Sequence, residues 1–237
     1  MEKNYFIDLS VESVLSKSWE LTKKHFVKML VITLLMVVVT FAWQSIIESD
    51  PVYNAMATTT DPERIVRLFV TLIPKLGLGL LVSYLIQAAF YLVQYRMQLD
   101  AVNDKNVSIR NSFNEMLPIM PKFIILYLLT IIIVALATAC CVLPGIYLMV
   151  RFMFVLITMV ENPKMGIKEA FVKSWNLTSG HFGSLFLLGV IAVLLNLLGV
   201  VCCVVGVFVT TIISSFMMVV VYKRLSGETE QTEVVVS

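Results

Sequence analysis

The chain has 237 residues, of which 59% are hydrophobic and 14% charged, and its mean hydropathy is +0.89. Soluble domains carry roughly 45–50% apolar and about 25% charged residues. A water-soluble globular fold is therefore excluded, and lipid must be the solvent. The net charge of +2 is too small to imply a nucleic-acid partner, and none is expected; the placement of the charges is more informative than their total.

In chain order, residues 1–26 hold Glu2, Asp8, Glu12 and Glu20 and lack an apolar core followed by a small-residue cleavage site. No removable signal peptide is expected, so the first span acts as an uncleaved insertion signal. Residues 9–26 read as an amphipathic helix. Val11, Val14, Leu15, Ser18, Trp19, Leu21, Thr22, His25 and Phe26 fall on one arc at about 100° per residue. Glu12, Lys17, Glu20, Lys23 and Lys24 fall on the other. A helix basic on one face, with Trp and Phe on the other, lies in a membrane interface.

A spanning helix needs about 20 mostly apolar residues. The first span is expected over about 27–47 and the second over about 76–96. Between them Ser49–Glu63 is polar, Asp61 is a helix N-cap with Pro62 at the first helical position, and a short outer helix is expected to end at Pro74. Phe123–Val160 is a 38-residue stretch whose one charge is Arg151, and Phe182–Tyr222 is a 41-residue stretch with none. Each holds two helices. The first pair, 122–142 and 144–160, is expected to turn at Pro144-Gly145, because proline and glycine punctuate local structure most strongly. The second pair is 182–200 and 201–222, and residues 226–237 read as a disordered tail. The expected fold is all-α, a single six-span membrane domain over residues 1–225.

The chain repeats itself. Lys17-Ser18-Trp19-Glu20-Leu21-Thr22-Lys23-Lys24-His25-Phe26 returns as Lys173-Ser174-Trp175-Asn176-Leu177-Thr178-Ser179-Gly180-His181-Phe182, with seven of ten positions identical. A weaker copy, Ile109 to Phe123, is interrupted by Pro118 and Pro121 and should be shorter or kinked. Cys140-Cys141-Val142 likewise echoes Cys202-Cys203-Val204. The plan is three parallel units, each an interfacial helix followed by a transmembrane hairpin, and not the inverted repeats of many alternating-access transporters. With the N-terminus in the cytoplasm, fourteen Lys and Arg residues fall inside and three, Arg64, Arg67 and Lys75, fall outside. The positive-inside rule then puts both termini in the cytoplasm.

Leu143-Pro144-Gly145-Ile146-Tyr147-Leu148-Met149-Val150-Arg151-Phe152, then Glu161, then Glu169 to Phe182, resembles a widespread prokaryotic group of six-helix integral membrane proteins. That group includes the membrane domain fused, in some members, to glycerophosphodiester phosphodiesterases. The likeness is concentrated in residues 143–190. It implies a multi-pass plasma-membrane protein and no established activity for stand-alone members. The chain leaves no room for that enzyme's soluble barrel, and two histidines cannot furnish its acid–base and metal set, so phosphodiesterase activity is not carried over.

Arg151 is the sharpest single candidate, since an intramembrane charge is costly. It contacts an anion such as a lipid phosphate, or it fixes helix packing by bonding neighbouring groups. His25 and His181 would form a proton relay or metal pair if their helices met; with Trp19, Phe26, Trp175 and Phe182 they otherwise serve as interfacial anchors. Cys140, Cys141, Cys202 and Cys203 admit three readings: buried small hydrophobes, a disulfide between hairpins, or a zinc site. Gln44, Gln87, Gln94 and Asn196 fit interhelical hydrogen bonds or a polar path. No nucleophile elbow, phosphate-binding loop or zinc-protease motif is present in the sequence. No cofactor or metal is expected. A membrane enzyme would have to draw on Asp100, Glu115 and Glu161. The leading expectation is a non-enzymatic scaffold or accessory for envelope or transport machinery. Its partners would be membrane lipids and a membrane protein or second copy. The alternative is a transporter or lipid translocator using Arg151.

Overall fold

A computed structural model of the chain describes residues 10–49, 55, 58, 59, 61–201 and 203–236. It is 89% helical, with no strand among the described residues. Helix α1 spans Val11–Glu48, α2 Pro62–Val102, α3 Ile109–Met116, α4 Met120–Cys140 and α5 Val142–Arg151. Then come α6 Val155–Glu161, α7 Ile167–Thr178, α8 Phe182–Val201 and α9 Cys203–Val236. Six helical stretches are long and apolar enough to cross a membrane: Val11–Glu48, Gly77–Val102, Ile109–Cys140, Val142–Glu161, Phe182–Val201 and Val205–Gly227.

The two copies of the ten-residue repeat take different backbone courses. In the first, the amphipathic segment and the span are one unbroken helix, α1. In the second, Gly180 adopts φ +83 and separates α7 from α8. Glycine enters that left-handed region without the Cβ penalty other residues incur; the first copy has Lys24 at the matching position and stays helical. The buried face is nevertheless the same. Val14, Ser18, Leu21 and Thr22 in one copy, and Ala170, Ser174, Leu177 and Thr178 in the other, are all at most 4% exposed.

Proline chemistry sets several boundaries. Asp61 caps α2, its carboxylate accepting from the Glu63 amide at 3.1 Å, with Pro62 in the first turn. Pro74 does not end a short outer helix as expected but lies inside α2. A membrane helix absorbs an internal proline at the cost of one backbone bond. Pro118 and Pro121 do break the third copy: α3 has eight residues and passes through the 3-10 turn Leu117–Ile119 into α4. The α4–α5 hairpin turns at Cys141, three residues before Pro144. Cys141 alone is extended, at φ −165 and ψ 140, and Pro144 sits in the first turn of α5, where a missing N–H costs nothing. Gly145 is instead the point of closest approach: a Cβ there would lie 2.2 Å from Thr138 Oγ1 and 2.8 Å from Thr138 Cα. Helix α9 continues to Val236, across the stretch expected to be a disordered tail; no proline in that stretch would stop it.

The spans differ in how deeply they sit. In the most apolar window of Val205–Gly227 44% of residues are buried and in Val142–Glu161 39%, against 11% in Ile109–Cys140. Spans four and six are therefore the inner helices, while spans one, three and five turn most of their surface outward. The centre of the core is Phe154, Val155, Ile157 and Met159 around α6, packed with Phe123, Leu126 and Tyr222, all fully buried.

One end of the bundle is fastened by cations. Lys24 Nζ lies 3.0 Å from Asp104 in the α2–α3 loop, and Lys28 donates to the Val107 carbonyl at 2.7 Å. Lys122 donates to the Met165 carbonyl in the α6–α7 loop. Arg224, near the end of span six, reaches Ser13 Oγ at 3.0 Å. The chain's first helix, both of these loops and its last helix thus meet at one end.

Candidate functional site

Arg151 is the last residue of α5, beside the non-helical turn at 152–154 that separates α5 from α6. Helix α7 folds back against α6 and α5, so that its C-terminal end arrives at Arg151. The guanidinium donates through Nε to Tyr147 Oη at 2.9 Å and through one terminal nitrogen to Ser179 Oγ at 3.1 Å and Thr178 Oγ1 at 3.4 Å. Its carbon lies 5.0 Å from the Tyr147 ring centre and 4.8 Å from that of Trp175. Aromatic faces attract such a cation most strongly where water is scarce. The C-terminal end of α7 adds the negative end of a helix dipole. Ser174, fully buried, donates its hydroxyl to the Arg151 carbonyl at 2.8 Å, one of the last carbonyls of α5 that the helix itself leaves without a donor.

An aromatic wall surrounds this site. Tyr147 packs on Trp175 and Phe182 at ring distances of 5.9 and 5.4 Å, and Phe152 packs on Phe171 at 4.9 Å. Trp175 and Phe182, singled out as anchors, therefore also enclose the guanidinium or the Tyr147 that bonds it. In the first copy Trp19 is 46% exposed, and Lys23 Nζ lies 5.6 Å from its ring centre. Phe26 and His25 are half-buried, and His25 Nε2 has no hydrogen-bond partner among the described residues. His181 sits half-buried in the break between α7 and α8.

A second polar cluster lies at the fastened end. Glu161 closes span four. Tyr222 donates to its carboxylate, Lys223 Nζ is 2.8 Å away and Lys173 Nζ is 3.7 Å away. The network joins α6, α7 and α9. Asp100 and Glu115 instead flank Arg96, at 3.4 and 2.8 Å. The three carboxylates considered for acid–base work are thus each ion-paired, in two separate clusters.

Cys140 and Cys141 carry free, exposed thiols at the α4–α5 turn. Cys202 and the side chain of Cys203 lie outside the described residues. Among the described residues no group of three or more His, Cys, Asp or Glu side chains could hold a metal. Asn196 donates to Ser214 Oγ at 3.0 Å and accepts from Thr211 at 3.3 Å, joining α8 to α9. Gln98 donates to Ser215 Oγ at 2.6 Å, joining α2 to α9. Gln44 is 3.4 Å from Glu48 on its own helix.

Of the Arg151 partners, Tyr147 lies one helical turn back in α5, but Ser174, Trp175, Thr178 and Ser179 could not be found from spacing, because they lie 23 to 28 residues away, across a loop. The one signal was the repeat itself, which places Ser-Trp and Thr-Ser after an intramembrane arginine. The Glu161 cluster had a weaker signal: a lone carboxylate closing one span and Tyr-Lys-Arg closing another.

Residues 117–227 match the family described as the membrane domain of glycerophosphoryl diester phosphodiesterase. The match covers α4 to α8, most of α9 and both polar clusters. No curated protein and no solved structure matches the chain.

Proposed function

We propose that this multi-pass membrane protein is a non-catalytic scaffold or accessory for envelope or transport machinery in a prokaryotic plasma membrane. The family matched over residues 117–227 is a membrane domain and not the catalytic domain of the phosphodiesterase, which supports the non-catalytic half of the reading. The observation that carries the scaffold half is the enclosure of Arg151. Its guanidinium is taken up by Tyr147, Thr178 and Ser179 and covered by the Tyr147 and Trp175 rings, an arrangement that fixes α7 to span four. The lysine and arginine distribution supports an inside location for both termini; on that reading the cation-fastened end lies at the cytoplasmic headgroups. There α1 and α7 present their basic faces to anionic lipid, at about 1 kcal/mol per basic residue near the surface.

The test is photo-crosslinking in intact membranes from the exposed positions Trp19 and Trp175. A reproducible protein adduct is expected. Lipid adducts alone from both positions would sink the scaffold reading. The rival reading, a lipid translocator with Arg151 on the headgroup, requires that Arg151→Ala abolish lipid movement by reconstituted protein; unchanged movement would remove Arg151 from that mechanism.

A further inference from the structure

At the fastened end, the α6–α7 loop, the outer face of α7 and the end of span six enclose an open groove of about 840 Å3. Three lysines line it: Lys164, Lys168 and Lys173. Their charges are not equally committed. Lys173 is 3.7 Å from Glu161. Lys164 and Lys168 have no ion-pair partner among the described residues. Among the described lining residues the one carboxylate, Glu169, is turned back onto the Gly166 amide at 2.8 Å, closing the N-terminus of α7. Among the described residues the groove thus holds two cations, Lys164 and Lys168, that no carboxylate pairs. Beside them are the exposed side-chain amides of Asn162 and Asn176.

Met165, Val172 and Leu177 add apolar surface to the lining, beside Ser226. Val172 is 56% exposed and Trp175, one position from Asn176, is 38% exposed. A polar bowl thus opens onto an apolar strip along α7. The loop that forms its rim is held in place by Lys122, which donates to the Met165 carbonyl. Compact oxyanions suit lysine as a point charge, and amide N–H groups satisfy the remaining oxygens. A purely ionic ligand would have no use for Val172; an amphiphile would.

We propose that this groove binds a phosphate ester, and specifically the phosphate headgroup of an anionic phospholipid, with Lys164, Lys168 and Asn176 on the phosphate and Val172 against the start of an acyl chain. The proposal rests on the reading that this end of the bundle lies at the headgroups. It goes beyond diffuse attraction by naming a site.

The experiment places purified protein in nanodiscs of equal parts phosphatidylglycerol and phosphatidylcholine and measures retained lipid by native mass spectrometry. Wild type is compared with Lys164→Gln/Lys168→Gln and with Lys105→Gln/Arg110→Gln, which removes the same charge from exposed positions on the α2–α3 loop and α3. Retained phosphatidylglycerol should fall at least about tenfold in the first variant, as loss of charge-assisted contacts to one phosphate implies, and stay near wild type in the second. Equal loss in both variants, or in neither, overturns the site while leaving diffuse lipid attraction intact. If wild type retains no excess of phosphatidylglycerol, both the site and the headgroup reading fail. Calorimetry with glycerol 3-phosphate in detergent separates the sources. Binding that Lys164→Gln/Lys168→Gln abolishes keeps the phosphate site and makes a soluble ester its ligand. Matching thermal melts of all three proteins exclude misfolding as the cause.

Discussion

At the scale of single residues, Arg151 illustrates how a membrane protein keeps a charge in the apolar layer. Polar hydroxyls from a neighbouring helix and aromatic faces replace water. Truncation removes several weak contacts at once, since interhelical bonds in membranes average about 0.6 kcal/mol and cation–π contacts contribute about 0.5–2 kcal/mol. Arg151→Ala should therefore destabilise the protein by about 2 kcal/mol, measured by steric trapping in bicelles. Arg151→Lys should lose most of the same, because an ammonium cannot sit flat between two rings and reach three hydroxyls. A lysine variant as stable as wild type would reduce the residue to its charge. Asp104 gives a pH test outside the spans. The hydrogen bond from Lys24, and then its charge, hold the Asp104 carboxyl below the usual carboxylate range. A group whose folded pKa is lowered contributes stability above its unfolded pKa and loses it as pH falls through the folded one. The pair's contribution should thus be fully present and independent of pH above about pH 5, given an ordinary aspartate pKa near 3.9, and should be lost as pH falls below that value. Carbon-13 carboxyl NMR should show the Asp104 titration moving upward in Lys24→Gln.

At the scale of elements, the hairpins depend on close approach. A Cβ on Gly145 would meet the Thr138 side chain at 2.2 Å and its backbone at 2.8 Å, and one on Gly199 would meet Thr210 Oγ1 at 2.3 Å and the Gly206 carbonyl at 3.0 Å. Backbone atoms cannot rotate away. Gly145→Ala should cost about 1–3 kcal/mol, as overpacking does, and Thr138→Ala should rescue it only in part. Gly183→Ala is the control: nothing lies within 4 Å of its Cβ, and it should be neutral or stabilising by up to about 1 kcal/mol. A thermal-melt comparison of these variants in detergent checks both. The repeat was legible at this scale, because Ser and Thr four residues apart mark a buried helical face in each copy. The differing backbones were not: the helical pattern treats both copies alike and runs through His181 and Phe182, whereas Gly180 breaks the second copy, which then folds back onto span four. The offset of the α4–α5 turn had the same origin. Pro144-Gly145 looks like the turn in the sequence, yet proline fits the first turn of a helix and glycine fits a tight contact, so both serve α5.

At the scale of the whole molecule, six spans with lysine and arginine gathered at one end predict that Cys140 and Cys141, at the α4–α5 turn, face the outside. A membrane-impermeant maleimide should label both in intact cells carrying Cys202→Ser/Cys203→Ser, and should label neither only if the orientation is reversed or the turn is lipid-covered; labelling in inverted vesicles separates the two. The sequence by itself determined the class, the six spans, the repeat and the intramembrane arginine. Each of these depends on composition and periodicity, which are local and additive along the chain. The tertiary structure alone decided which spans are inner, which hydroxyls and rings satisfy Arg151, and how Glu161, Tyr222, Lys223 and Lys173 converge. Those depend on which helix faces meet across tens of residues, and in lipid nearly every face is apolar, so hydrophobic pattern cannot tell a neighbour from a lipid chain. Polar contacts and small-residue fits make that choice, and they exist only once the helices are side by side.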